Sequence, residues 1–156
     1  MACTFCEIPK NRFIFENKYF YSIFDGHPVS PGHALIIPKR HAVSLLDLNK
    51  NEWTYLKDGL EKTIDIILTT NFKKLYKNMK SDKLTFNSPK FCDKMLKHFA
   101  INKKPDGFNI GNNEGIEAGR TVHHLHIQII PRFKGDVKNP IGGIRNIIPK
   151  LGNYKN

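Results

Sequence analysis

The run His123-His124-Leu125-His126-Ile127-Gln128-Ile129-Ile130-Pro131-Arg132 constrains this chain more than any other stretch. Leu125, Ile127 and Ile129 alternate with His124, His126 and Gln128, the period of a strand with one apolar and one polar face. On the polar face, side chains recur about every 6.6–7 Å. A strand that only shields a core carries Thr, Val or Lys there. Two aligned imidazoles and an amide point to a site.

The flanking sequence predicts the company this strand keeps. Phe13, Phe15, Tyr19, Tyr21 and Ile23 alternate around Glu16-Asn17-Lys18, which reads as a β-hairpin between Arg12 and Phe24. Asp25-Gly26, His27-Pro28 and Pro31-Gly32 mark turns, and HALIIP (33–38) is a short buried strand ended by proline. Trp53, Leu56, Leu60, Ile64 and Ile67 fall at helical spacing behind Asn49, a good N-cap. Phe72, Leu75, Tyr76 and Met79 either prolong that helix or begin another. A break is expected from Ser81 to Asn87. Ser88-Pro89 then opens a helix with Phe91, Met95 and Phe99 on one face. A turn at 103–107, a strand over 108–111 and a polar loop over 112–119 lead into the histidine strand. The tail from Pro131 is expected to wrap over the surface. Strands, a helical middle and strands again predict an α+β fold, an antiparallel sheet with helices packed to one side.

Length and charge narrow the function classes. The 156 residues suit one domain, residues 1–156. No apolar run reaches membrane-spanning length, and the start, MACTFCEIPK, lacks the features of a secretion signal. The cytoplasm is the expected compartment and no membrane partner is expected. The net charge is +11, of which the stretch from Asn71 to Lys104, with ten Lys and two Asp, supplies +8. Such a run reads first as a solvated helical face, so nucleic acid is not an expected partner. Cys3-Thr4-Phe5-Cys6 is a C-x-x-C pair that is redox-active, metal-binding or incidental. Cys92 reads as a small buried group.

H-x-H-x-Q, preceded by Ala118-Gly119-Arg120-Thr121-Val122, resembles the motif of the histidine-triad family of nucleotide hydrolases and transferases. It resembles the H-x-H-x-Q variant of the diadenosine polyphosphate hydrolase-like branch. CTFCEIP, DGHPVSPGHALIIPKRH, DGFNIGNNEG, FKGDV and GGIRNIIP extend the likeness along most of the chain. The stretch of about 69–104 lacks a counterpart and reads as a helical, lysine-rich insertion. Gln128 stands where the family usually has a third histidine, and Arg120 where it has glutamine.

The resemblance implies a function and its residues. The substrate would be a nucleoside 5′-phosphoanhydride, foremost a dinucleoside polyphosphate such as diadenosine tetraphosphate. The middle residue, His126, would be the nucleophile, forming a nucleotidyl-histidine that splits one hard displacement into two easier ones. His124 and Gln128 complete the catalytic row. Asn113, Gly119, Arg120, Thr121, Val122 and Gln128 would bind phosphate, through backbone N–H groups at 119–121 among others, with Arg120 gripping a longer chain. Asp25 would accept the ribose hydroxyls, and Phe5, Ile8 and Phe24 would enclose the base. An amide at 128 cannot give a proton, which favours good leaving groups. The acceptor stays open: a phosphoramidase, or a nucleotidyl transferase or phosphorylase, would use the same site. A nucleotide-binding interaction protein with vestigial catalysis is the reading from another class. The resemblance also implies structural zinc on Cys3, Cys6, His41 and His124, with His123 as an alternative ligand, and a homodimer. His33 is expected to be structural.

Overall fold

The computed structural model describes residues 3–82, 88–148 and 151–153. Five strands form one antiparallel sheet in the order β1-β2-β3-β5-β4: β1 Phe15–Glu16, β2 Phe20–Phe24, β3 Ala34–Pro38, β4 Gly107–Gly111 and β5 Ile127–Arg132. Three helices, α1 Lys50–Thr69, α2 Phe72–Ser81 and α3 Pro89–Leu96, lie between β3 and β4 in the chain. This is the expected α+β arrangement.

Local chemistry sets the element ends. Asn17 closes the β1–β2 hairpin, its side-chain oxygen accepting from the Tyr19 and Phe20 N–H groups at 3.0 and 2.9 Å. Asn49 caps α1 in a capping box with Glu52. Phe72 to Met79 form a separate helix, because Thr70 adopts an extended backbone and Asn71 caps a new start. The expected break at Ser81–Asn87 falls largely on residues 83–87, outside the described residues; Ser81 itself ends α2. In α3, Cys92 and Met95 face the core as Phe91 lies half-buried. Phe99 is exposed, since the helix ends at Leu96 and the face does not extend that far.

β2 and β3 are buried throughout, so both faces of the sheet are covered. On one face, Phe20, Phe24, Ala34, Ile36, Ile127 and Ile129 pack with Leu56, Ile67, Phe72, Tyr76, Met79, Cys92 and Met95 from the helices. Thr63 of α1 donates to the buried Ser22 of β2 at 2.9 Å, satisfying both hydroxyls. On the other face, Tyr21, Ile23, Leu35 and Ile37 meet Phe5, Ile8 and Phe13 from an N-terminal strap. Phe13 stacks on Tyr21 with ring centroids 4.1 Å apart, and Tyr21 Oη donates to the Phe5 carbonyl.

The helices at 72–96 also support the turn before β3. Gly32 has φ +87°, and a Cβ there would lie 2.6 Å from the Phe72 ring. The Gly32 N–H donates to Tyr76 Oη at 2.8 Å, and the Ser88 N–H to the Gly26 carbonyl at 3.0 Å. The lysines of α2 and α3 point outward and Phe72, Tyr76, Met79, Cys92 and Met95 point inward.

Candidate active site

The cross-strand register aligns Ile23, Leu35, Gln128 and Gly111 in a row. The first three form the floor of a cavity of about 540 Å³ on the face away from the helices. The strap contributes Thr4, Phe5, Ile8 and Arg12 to its wall; the turn after β2 contributes Asp25, Gly26 and His27. Asn113, Gly119, Thr121, Val122 and His126 close the other side.

The histidine run is only partly the expected strand. Regular pairing begins at Ile127, and residues 123–126 approach it in an irregular extended segment anchored by the Leu125 N–H on the Ala42 carbonyl at 2.7 Å. His124 therefore lies fully buried, while His126 is half-buried at the cavity and His123 is exposed. His126 Nδ1 stands 2.9 Å from the His124 carbonyl oxygen. A carbonyl only accepts, so Nδ1 carries the proton and Nε2 is left with its lone pair.

Opposite it, Asp25 is held by the His27 N–H, which donates to Oδ1 at 2.9 Å, and Oδ2 lies 3.4 Å from His33 Nδ1. His33 is nearly fully buried; burial holds it below the usual imidazole range against the pull of Asp25. The loop over 112–119 is braced by Glu114, which accepts from the Leu45 N–H at 2.6 Å and from Asn112 at 2.8 Å. Asn113 donates to the Gly119 carbonyl at 3.2 Å.

Four expectations need correcting. The Gly119 N–H donates to Ile116 at 2.8 Å and the Arg120 N–H to Gly115 at 3.1 Å, because Gly115 and Gly119 turn left-handed and fold the loop onto itself. Those two amides are thus spent within the loop, leaving Asn113 and Thr121 as its polar side chains at the cavity. The Arg120 side chain is directed elsewhere: it donates to the Val43 carbonyl at 3.2 Å and lies 3.9 Å from Glu114. Phe24 packs among the helices, since it shares the face of Phe20 and Ser22, not that of Ile23. His123 stands apart from the cysteines, and it is His124 that meets them. The sequence pattern did not single out Arg12, Ile23, Gly26, His27, Leu35 or Thr4. Ile23 and Leu35 become legible as same-face partners of Gln128 once the register is known; Arg12 carries no such signal.

Beside the cavity, Cys3, Cys6, His41 and His124 offer one ligand atom each, all within 4.8 Å of one another. Sγ of Cys3 and Cys6 lie 3.3 and 3.5 Å from His124 Nδ1, and Cys6 Sγ lies 3.4 Å from His41 Nδ1. A tetrahedral zinc with ordinary Zn–S and Zn–N bonds sets that edge at about 3.5 Å. His124 Nε2 faces the Pro38 carbonyl at 2.9 Å, which fixes Nδ1 as the open nitrogen. The residues fit a metal of this kind.

Fold and site together define an α+β protein with a solvent-reaching imidazole over a nucleotide-sized cavity. Residues 7–135 match the HIT domain family model, and the chain belongs to that family. It is an enzyme of the family's nucleotide hydrolase and transferase class. An uncharacterised HIT-like protein of Methanocaldococcus jannaschii is 27% identical over 139 residues, covering 86% of this chain and 81% of the relative. A protein of Mycobacterium tuberculosis named AP-4-A phosphorylase is 28% identical over 158 residues, covering 96% and 64%. The crystal structure of a Zn-bound histidine triad family protein from Mycobacterium smegmatis has a TM-score of 0.52 and 27% identity, covering 86% of this chain and 78% of that one. No helix among the described residues is long and apolar enough to cross a membrane.

Proposed function

We propose that the chain cleaves nucleoside 5′-phosphoanhydrides, dinucleoside polyphosphates foremost, through a nucleotidyl-His126 intermediate. The observation that carries this is His126 Nδ1 held by the His124 carbonyl at 2.9 Å, with Nε2 left to attack from the cavity wall. In the first step Nε2 forms a bond to the α-phosphorus as the bond to the leaving polyphosphate oxygen breaks. In the second, water or another acceptor takes the nucleotide and His126 returns. Asn113, Thr121 and Gln128 donate to the phosphate oxygens, and Asp25 accepts from the ribose. Gln128 gives no proton, which suits an anhydride whose leaving group departs as an anion. The relative named as a phosphorylase favours phosphate as a second acceptor. Diadenosine tetraphosphate turnover by wild type and His126→Ala tests the reading: equal rates would refute the nucleophile. Product analysis with and without added phosphate identifies the acceptor.

Zinc on Cys3, Cys6, His41 and His124 would be structural, with all four positions taken by protein. It would fix His124, whose carbonyl orients His126, and pin the strap that walls the cavity. A homodimer in the cytoplasm is the companion expectation, and sedimentation would check the oligomeric state.

A further inference from the structure

Arg12 lines the cavity as a charged residue to which this mechanism gives no role. It ends the short 3₁₀ turn Lys10–Arg12, just before β1, and its side chain is only 10% exposed. Among the described residues lining the cavity it is the one permanent cation. Asp82, at the C-terminal end of α2, stands 3.9 Å from its guanidinium. Asp82 does not line the cavity itself, so it steadies Arg12 from behind.

Position decides which part of a substrate Arg12 meets. The sheet order is β1-β2-β3-β5, with Arg12 leading into β1 and His126 leading into β5. Three strand spacings separate those edges, about 14 Å. The attacked phosphorus must lie at His126 and the ribose at Asp25, which follows β2. A substrate laid along this line brings its base, not its phosphates, to the β1 side. There the cavity is lined by Ile8, Ile23 and Arg12.

We propose that Arg12 reads the base of the bound nucleotide, donating to a pair of adjacent acceptor atoms, and that the inserted helices serve this reading by presenting Asp82. The inference rests on a nucleotide occupying the cavity as described above. A guanidinium donates only, in a planar fork. Guanine offers such a fork two neighbouring acceptors, O6 and N7, whereas adenine sets an amino donor beside N7. The base favoured is therefore a 6-oxopurine over a 6-aminopurine. The insertion also supports the neighbouring turn after β2 directly, since its Ser88 N–H ties down Gly26 and Phe91 packs its ring against His27 at 5.3 Å.

The test is calorimetric binding of GMP, AMP and ribose 5-phosphate to the metal-loaded wild type and to Arg12→Lys, Arg12→Ala and Asp82→Asn. Wild type should bind GMP about tenfold more tightly than AMP, the size of one bidentate base contact. Arg12→Lys and Arg12→Ala should both abolish that preference and leave ribose 5-phosphate affinity unchanged; Asp82→Asn should reduce it in part. The inference is overturned if ribose 5-phosphate weakens along with GMP and Lys restores it, because that is the signature of a phosphate contact. It is overturned equally if wild type prefers AMP, or if Arg12→Ala changes nothing. Failure of wild type to bind any mononucleotide would refute the nucleotide reading itself, and this inference with it.

Discussion

Glu52→Gln tests how much a partly buried ion pair at the start of α1 stabilises the fold beside the site. Glu52 sits in the first turn of α1, 2% exposed, and accepts from Arg40 Nε at 2.6 Å, Arg40 Nη2 at 3.0 Å and the Asn49 N–H at 2.8 Å. The Arg40 hydrogen bonds, with help from the Asn49 N–H, hold its carboxyl below the usual range. Arg40 lies between Pro38, whose carbonyl meets His124, and the exposed His41. Hydrogen bonds to charged groups contribute about 1.5–3 kcal/mol each. Half of the Arg40 side chain is wet, and glutamine keeps one accepting oxygen, so a loss of about 2 kcal/mol at pH 7 is the working figure. For a domain of this size that lowers Tm by roughly 4–8 °C.

The pH dependence carries the sharper check. A carboxyl depressed in the folded state contributes stability that is present in full above its unfolded pKa, about 4.3, and is lost as pH falls through the folded value. Urea melts of wild type and variant should differ most at pH 7, and the gap should narrow as pH falls from about 4.3 through the depressed folded value, urea being used because guanidinium salt would screen the pair. A difference that persists unchanged at pH 3 would mean that the pair's charge is irrelevant and that glutamine merely packs badly.

Other perturbations probe separate joints. Gly32→Ala adds a Cβ 2.6 Å from Phe72 at a left-handed position, and should cost about 3 kcal/mol by denaturant melts. Tyr76→Phe removes the acceptor of the Gly32 N–H without changing shape; about 1–2 kcal/mol should be lost in the same assay. Cys6→Ser should lower bound zinc, read by elemental analysis, and weaken nucleotide binding through the strap; a variant with full zinc content would sink the ligand assignment. Gln128→His supplies a proton donor, so turnover of substrates with poor leaving groups should rise by about tenfold or more while anhydride cleavage changes little.

Much of the architecture is written in short-range chemistry. Asn49 before a helical stripe, Asn17 in a hairpin and proline at the end of β3 each act on neighbours, and each acts as its residue type predicts. What depends on distant partners is harder to read. Alternation tells that Phe24 and Ile23 face opposite ways, yet not which way faces the helices, and Phe24 belongs to the helix side. His124 looks like a member of a polar row only if regular pairing is assumed from 124; the ladder starts at Ile127, and His124 sinks into the interior. Arg120 follows a loop folded by two left-handed glycines, a long-range outcome that no local pattern encodes. Arg12 reaches the cavity only because β1 lies across the sheet from β5.

The row Ile23, Leu35, Gln128 divides the cavity into parts with different freedom to change. Each floor side chain belongs to a strand whose neighbours in sequence are locked against the helices, so an altered floor disturbs the whole scaffold. The exposed rim, made of Thr4 in the strap, His27 in the turn after β2 and the loop at 112–122, lies outside the buried core and can be rewritten at small cost to folding. Selection for new substrates would thus act on the rim and spare the base of the cavity, and a designer wishing to redirect the chain should start at Thr4 or His27 and leave the three strand residues alone.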